Sequence, residues 1–245
     1  MPGASFSRYP GGRESWREFV ARLPARLRAQ WQLKVLLSAA LSVLFCVPYL
    51  LIGHHPLMPV HMLPLTWVDR AIGFHPYEWV WIYQSNYLLF NVVPWLTEQR
   101  EHLRRYVIGF AVLSLISFTI YIVYPIRAPK AQVADATGMY WLLLQYDAPL
   151  NSLPSLHAGF LIYTLAYGKR ILGDRVPVGL RSLCVLWGGL ILYGTLATKE
   201  HYFVDIVSGA ALALIVHWMA WRGTQPLTHT SRQPAMASEP LAARS

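Results

Sequence analysis

Long apolar runs, separated by short polar and basic segments, make up most of this chain. Six runs are candidate spans, and most of them approach the roughly 20 residues that a helix needs to cross a bilayer core. They cover approximately 35–52, 77–96, 106–125, 156–169, 182–198 and 203–221. Because lipid offers the backbone no hydrogen-bond partners, these runs are predicted to be helices rather than lone strands. The pattern therefore predicts an all-α fold, a polytopic membrane helix bundle with six transmembrane helices.

Basic residues are distributed unevenly between the two sides that six alternating spans would create. Of the 21 Lys and Arg residues, only Arg70, Arg127, Lys130 and Lys199 fall on the side away from the termini. Short cytoplasmic loops are the ones that carry an excess of Lys and Arg. Both termini are therefore predicted to be cytoplasmic. We expect a bacterial inner-membrane protein whose opposite side faces the periplasm or the cell exterior.

Composition supports the membrane class and suggests three parts. Charged residues make up 13% of the chain, about half of what soluble domains contain. The net charge of +9 does not indicate nucleic-acid binding, because the basic residues cluster at the ends of apolar runs. We expect a basic cytoplasmic or interfacial segment at 1–34, a membrane domain at 35–221 and a disordered tail at 222–245. An apolar stripe between 16 and 31 fits an interfacial helix or a partly disordered tail, and Pro24 is expected to interrupt that helix.

Three polar clusters fall on the side that carries few charges, at 124–130, 151–157 and 198–205. In the third cluster His201 and Asp205 are four residues apart, so they share one face of a helix. A carboxylate one turn into the membrane is costly without a partner. A hydrogen bond from one imidazole nitrogen to Asp205 would leave the other nitrogen available as a nucleophile. The alternative is that His201 and Asp205 form an interfacial ion pair that only fixes the position of the helix.

The second cluster places His157 in the first turn of the fourth predicted helix. Helix N-termini attract anions through free N–H groups and the helix dipole, and the sixth helix begins beside His201. Cations from the first cluster would complete a phosphate site, so no metal or cofactor is expected. The predicted catalytic residues are His201, Asp205 and His157, and the predicted phosphate-binding residues are Arg127, Lys130 and Ser155.

These clusters resemble the three motifs of the type 2 phosphatidate phosphatase superfamily. Pro-Ser-Leu-His at 154–157 is similar to the second motif, and His-Tyr-Phe-Val-Asp at 201–205 to the third. Within the superfamily the chain resembles the branch that contains inositol phosphorylceramide synthases, which has Leu where phosphatases commonly have Gly. That branch also tends to lack the classical arginine six residues before the third-motif histidine, where this chain has Thr195. The first motif departs from Lys-x6-Arg-Pro, so both Arg127 and Lys130 remain candidates.

The resemblance implies an integral membrane lipid phosphatase or phosphotransferase. In such an enzyme His201 forms a phosphohistidine, while His157 protonates the leaving alcohol and then deprotonates the incoming water. A headgroup transferase, in which an alcohol replaces water, is the alternative within the same class. The expected partners are a lipid phosphate substrate and membrane lipids. Alternatives of another class are a histidine-bearing transporter, a haem protein with paired axial histidines, or an inactive relative that serves in binding.

Two further sets of polar residues invite an interpretation. Histidines crowd the first outer loop but lack the spacing of metal ligands, so no metal site is expected there. A polar row on the second span could contact the substrate headgroup or form hydrogen bonds between helices. The loop histidines are His54, His55, His61 and His75, and the polar row is Gln84, Asn86 and Asn91.

Overall fold

The computed structural model describes residues 14–130, 133, 135–147 and 149–222. Within them the chain is helical, with isolated bridge pairs but no β-strand, so the predicted all-α class is confirmed. The helices are α1 (Trp16–Arg28), α2 (Trp31–His54), α3 (Trp67–Ala71), α4 (Pro76–Gln84), α5 (Asn86–Trp95), α6 (Arg100–Val123), α7 (Gly138–Tyr146), α8 (Leu156–Leu172), α9 (Val178–Ala197) and α10 (Phe203–Trp221). The predicted tail lies outside the described residues, apart from Arg222.

Four of these helices are long and apolar enough to cross a membrane: α2, α6, α9 and α10. Their outward surfaces are apolar, and Leu44 on α2, for example, is 68% exposed. Such surfaces are stable only in a nonpolar solvent or against a partner, which indicates an integral membrane protein. The two remaining predicted spans correspond to α8 and to the α4–α5 pair.

The second predicted span is broken, whereas the sequence predicted one continuous helix over 77–96. The break falls at Ser85, whose hydroxyl donates a hydrogen bond to the carbonyl of Ile82 at 2.6 Å. The indole of Trp187 on α9 donates to the same hydroxyl oxygen at 2.8 Å. A serine hydroxyl that binds a preceding carbonyl competes with the helical ladder and bends the helix. The break turns α5 toward α8.

Helix α8 forms the centre of the bundle, in contact with α5, α6, α9 and α10. Most of its residues are buried. Its contact with α6 includes Phe160 and Phe110, whose rings stack with their centroids 3.9 Å apart. Because neighbouring helices cover α8, its 17 residues need less apolar character than a lipid-facing helix.

The two ends of the bundle differ in chemistry. At the arginine end, defined by Arg105, Arg170 and Trp221, both guanidinium groups lie within 5.5 Å of the indole centroid. At the opposite end, the histidine end, Ile126 forms bridge pairs with His61 and Asn151. The three polar clusters of the sequence meet at the histidine end.

The N-terminal segment is helical and attached to the bundle where it is described. Helix α1 begins with a capping box of Ser15 and Glu18 and continues through Pro24, so the predicted interruption is wrong. The Arg26 side chain is 1% exposed and donates hydrogen bonds to Glu14, at 3.0 and 3.1 Å. These bonds tie the helix together on both sides of Pro24. They compensate for the N–H group that proline lacks.

Candidate active site

His201 lies just before α10 and is 4% exposed. Its Nδ1 atom is 3.1 Å from the carbonyl oxygen of Ser152 and 3.5 Å from Oδ2 of Asp205. A carbonyl only accepts hydrogen bonds, so the proton of the ring resides on Nδ1. The lone pair is therefore on Nε2, which faces away from both partners. Ser152, which sequence reasoning missed, is the closer of the two groups that orient this imidazole.

Asp205 joins the segments around the histidine as well as contacting its ring. The residue is fully buried. Its Oδ2 atom accepts hydrogen bonds from the Tyr202 amide at 2.8 Å and from the Ser152 hydroxyl. Its backbone carbonyl accepts the amide of Ser155 at 2.9 Å. A buried carboxylate needs such donors to offset its lost hydration, and here they hold 152, 155 and 202 around His201.

His157 lies in the first turn of α8 with its Nδ1 atom 3.3 Å from Nε2 of His201. The Tyr83 hydroxyl lies 3.0 Å from Nε2 of His157 and 3.3 Å from its Nδ1, and the Tyr87 hydroxyl lies 3.3 Å from Nε2. Asn86 donates a hydrogen bond to the backbone carbonyl of His157 at 2.9 Å. Of the two interpretations of the polar row, the helix-to-helix hydrogen bond therefore holds for Asn86.

The histidines meet because α8 and α10 cross in close backbone contact. A Cβ atom at Gly209 of α10 would lie 2.1 Å from the carbonyl oxygen of Ser155. A side chain at this position would overlap that oxygen. Glycine therefore permits an approach that brings together two histidines 44 residues apart in the chain.

The two helix N-termini differ in what they offer an anion. At α8 the Ser155 oxygen accepts the amide of Ala158 at 3.2 Å, as an N-cap does. This leaves the O–H proton of Ser155 without an acceptor among the described residues. At α10 the amide of Phe203 donates instead to Asp69, at 2.8 Å. The expectation that the α10 N-terminus is open to phosphate is therefore wrong at its first amide.

Arg127 is exposed, and the chain around it is fixed by backbone hydrogen bonds. Its amide donates to the carbonyl of His61, and the amide of Ala128 to the carbonyl of Pro149, at 2.9 and 2.8 Å. Thr195 is fully buried, and its hydroxyl binds the Leu192 carbonyl on its own helix at 2.7 Å. The side chain at the position of the classical arginine is thus bound to its own helix, while its backbone carbonyl accepts the amide of Glu200 at 3.1 Å.

Lys130 is enclosed by two carboxylates that sequence reasoning missed. Its Nζ atom lies 2.9 Å from Oδ2 of Asp147 and 2.6 Å from Oε2 of Glu200. Asp147 and Glu200 are 8% and 2% exposed. No spacing rule links residues at 130, 147 and 200, so only the fold reveals this group.

The charges of this group are strongly coupled. Burial alone would lower the pKa of Lys130, but Asp147 and Glu200 raise it well above its ordinary value. Burial would raise the pKa of Asp147, yet Lys130, a hydrogen bond with Glu200 and the nearby His157 hold it well below its usual range. Burial and the charge of Asp147 raise the pKa of Glu200, against the attraction of Lys130. The group therefore favours the charged forms of Lys130 and Asp147 and disfavours a second ionised carboxylate at Glu200.

The architecture and the histidine pair agree with the comparison to known families. A family model for the PAP2 superfamily matches residues 60–219, well over half of the chain. The chain belongs to this superfamily, as the motifs at 154–157 and 201–205 indicated. Membership suggests a phosphoesterase or phosphotransferase of the membrane. A search of curated proteins and a search of solved structures found no match.

Proposed function

We propose that this chain is an integral membrane phosphatase or phosphotransferase that acts on a lipid phosphoester through a phosphohistidine. The observation that carries the proposal is the pairing of His201 and His157. Their facing nitrogens are 3.3 Å apart, with Nδ1 of His201 bound on its far side. PAP2 membership favours this function over a transporter or a haem protein.

In the proposed mechanism the phosphoryl group enters between the two rings and replaces their mutual contact. Nε2 of His201 forms a bond to phosphorus as the bond to the leaving alcohol breaks, and the proton on Nδ1 of His157 passes to that oxygen. Water or an acceptor alcohol then attacks phosphorus, the phosphorus–nitrogen bond breaks, and the displaced proton returns to His157. General acid–base catalysis of this kind contributes about 10²–10⁴-fold in rate.

Stabilisation of the negative charge on the phosphoryl oxygens is assigned to Arg127, Lys130 and Ser155. An ammonium group has three N–H donors, and that of Lys130 donates one hydrogen bond to Asp147 and forms an ion pair with Glu200. A remaining N–H is assigned to a phosphoryl oxygen. Electrostatic stabilisation by such fixed donors is usually the largest contribution to catalysis.

Transfer to an alcohol, as in an inositol phosphorylceramide synthase-like enzyme, is the second candidate. It is favoured by Thr195, which places a buried hydroxyl where the classical motif has a cation. With fewer cations, the site is better suited to a phosphodiester, which carries one negative charge, than to a monoester with two.

The proposed topology has six spans, cytoplasmic termini and a site that faces the periplasm or the cell exterior. It is supported by the separation of the histidine end from the arginine end, where Arg105 donates to the carbonyl of Ala220 at 2.9 Å. A lipid substrate would then reach the site from the outer leaflet.

The first test measures inorganic phosphate released by the detergent-solubilised protein, with a metal chelator present. Phosphatidate and prenyl pyrophosphate are the substrates, and His201→Ala is compared with His55→Ala, which alters an exposed loop histidine. We expect release by the wild type and by His55→Ala, and none by His201→Ala, because only that variant lacks the nucleophile. Substantial activity in His201→Ala would contradict the mechanism. If the folded wild type releases nothing, a phospholipid donor with a lipid alcohol acceptor tests the transferase.

A further inference from the structure

A polar group beside the histidine pair has hydrogen-bonding capacity that the mechanism does not use. It consists of Lys130, Asp147 and Glu200, joined by the two contacts at 2.9 and 2.6 Å. Asp147 also accepts a hydrogen bond from the Tyr49 hydroxyl at 2.6 Å. Among the described residues, Lys130 is the only N–H donor that reaches Glu200. A carboxyl group can take part in several more hydrogen bonds, so Glu200 has unused positions.

Tyr140 of α7 adds a second, independent group without a partner. Its side chain is fully buried, and its hydroxyl has no hydrogen-bond partner among the described residues. Burial and the charge of Glu200 raise the pKa of Tyr140 to about 12, against the opposing effect of Lys130. Tyr140 packs in one buried cluster with Tyr83, whose hydroxyl contacts His157. Buried hydroxyl groups normally have partners, so the phenol of Tyr140 is available to a partner from outside the chain.

The location connects this group to the reaction centre. Glu200 directly precedes His201 in the chain, and Lys130 bridges Glu200 to Asp147. Lys130 is one of the cations assigned to the phosphoryl oxygens. A ligand that contacts Asp147, Glu200 and Tyr140 would therefore extend from the phosphate itself.

The charge of the group determines which ligands it favours. A second anionic group on the ligand would be repelled by Asp147, and the remaining donor of Lys130 is assigned to the transferred phosphoryl group. An ammonium group on the ligand would compete with Lys130 for the same oxygens. A neutral hydroxyl group suits all three residues, because it can donate to Asp147 and accept from Tyr140.

We propose that Asp147, Glu200 and Tyr140 form a hydroxyl-binding subsite that holds an uncharged, hydroxyl-bearing group next to the phosphate. The ligand class is a polyol headgroup or an alcohol acceptor, rather than a bare phosphate or a cationic headgroup. This inference rests on the proposed function, because it assigns the phosphate position to the histidine pair.

The test compares two phosphonates, which cannot be hydrolysed, as ligands of the purified protein. Dihydroxybutylphosphonate and butylphosphonate have the same charge and chain length and differ only in two hydroxyl groups. Titration calorimetry gives the dissociation constant of each for the wild type, Tyr140→Phe and Tyr77→Phe. Tyr77 serves as the control because it packs edge-to-face on the Tyr140 ring and is 45% exposed.

We expect the wild type and Tyr77→Phe to prefer the dihydroxy ligand about tenfold, the equivalent of one to two hydrogen bonds. Tyr140→Phe should reduce that preference at least threefold, and its fold should be retained because the lost hydroxyl has no partner in the described structure. Equal affinities in the wild type, an unchanged preference in Tyr140→Phe, or no binding of either ligand would overturn the subsite. The measurement needs no turnover, so its failure is distinct from inactivity, which would contradict only the proposed reaction.

Discussion

At the scale of single residues, the site depends on which nitrogen of each histidine is held. His201 is held at Nδ1 by the Ser152 carbonyl at 3.1 Å, and the Tyr83 hydroxyl lies 3.0 Å from Nε2 and 3.3 Å from Nδ1 of His157. Nε2 of His201 and Nδ1 of His157 face each other. A hydrogen-bonding partner fixes the orientation of an imidazole ring, so Tyr83 positions the His157 ring to which the proposed mechanism assigns proton exchange.

Tyr83→Phe tests this positioning role. Loss of one neutral hydrogen bond should lower kcat about tenfold, while KM changes little because the phosphate contacts remain. The control is Tyr106→Phe, which removes a buried hydroxyl bound to Thr164 at 2.9 Å. Tyr106→Phe should lower the thermal denaturation temperature without an equal loss in kcat. Equal kcat values for Tyr83→Phe and the wild type, measured by steady-state phosphate release, would contradict the role.

At the scale of elements, the crossing of α8 and α10 decides whether the site exists. The Ser155 amide binds the Asp205 carbonyl at 2.9 Å, and the Ser155 carbonyl lies against Gly209. These contacts are between backbone atoms, so no side chain can rotate away to make room for a larger residue at 209. The geometry of the histidine pair is therefore linked directly to the size of residue 209.

Gly209→Ala should separate the two helices at this crossing. We expect a loss of about 1–3 kcal/mol in the free energy of unfolding, typical of overpacking. We also expect about a 100-fold loss in activity, since small displacements of reacting groups are costly. The control is Gly189→Ala on α9, where an added Cβ would meet no atom within 4 Å. That change should be neutral or should stabilise by about 0.5–1 kcal/mol.

Thermal denaturation and phosphate release of both variants in the same detergent check these expectations. If Gly209→Ala behaves like Gly189→Ala in both measurements, the close crossing is not what positions the histidines.

At the scale of the whole molecule, the chain separates its polar chemistry into two ends. Arg105 and Arg170 lie around Trp221 at one end, and the histidine pair lies at the other. Basic side chains beside aromatic rings are typical of the cytoplasmic membrane boundary. The arrangement predicts that a lipid phosphoester is processed on the side away from the termini.

Labelling of single cysteines tests this orientation. The background carries Cys46→Ala and Cys184→Ala, and one further change is His55→Cys or Gln99→Cys, at exposed positions near the histidine and arginine ends. A membrane-impermeant maleimide applied to intact cells should label His55→Cys, whereas Gln99→Cys should react only after permeabilisation. The reverse pattern would invert the topology, and labelling of both in intact cells would contradict the six-span arrangement.

The chemistry of the candidate site could be predicted from the sequence to the extent that it is local. His201 and Asp205 are one helical turn apart, and Ser155 caps the helix that carries His157, so spacing alone relates these residues. Apolar runs indicated the helices in the same way, because length and composition determine whether a segment is stable in lipid. The break at Ser85 was not predicted, since it depends on a hydrogen bond from Trp187, far along the chain.

By itself, the sequence determined that this is a helical membrane protein of the PAP2 superfamily with histidine motifs beside the starts of two helices. Tertiary structure alone decided which groups surround those histidines. Tyr83 and Ser152 orient the rings, and Asp147 and Glu200 enclose Lys130, although no periodicity connects these positions. The physical reason is that helical spacing fixes neighbours within one or two turns, whereas contacts between helices depend on how their surfaces pack. At the crossing of α8 and α10, for example, a Cβ atom at 209 would lie only 2.1 Å from the Ser155 carbonyl oxygen, so the packing requires glycine there.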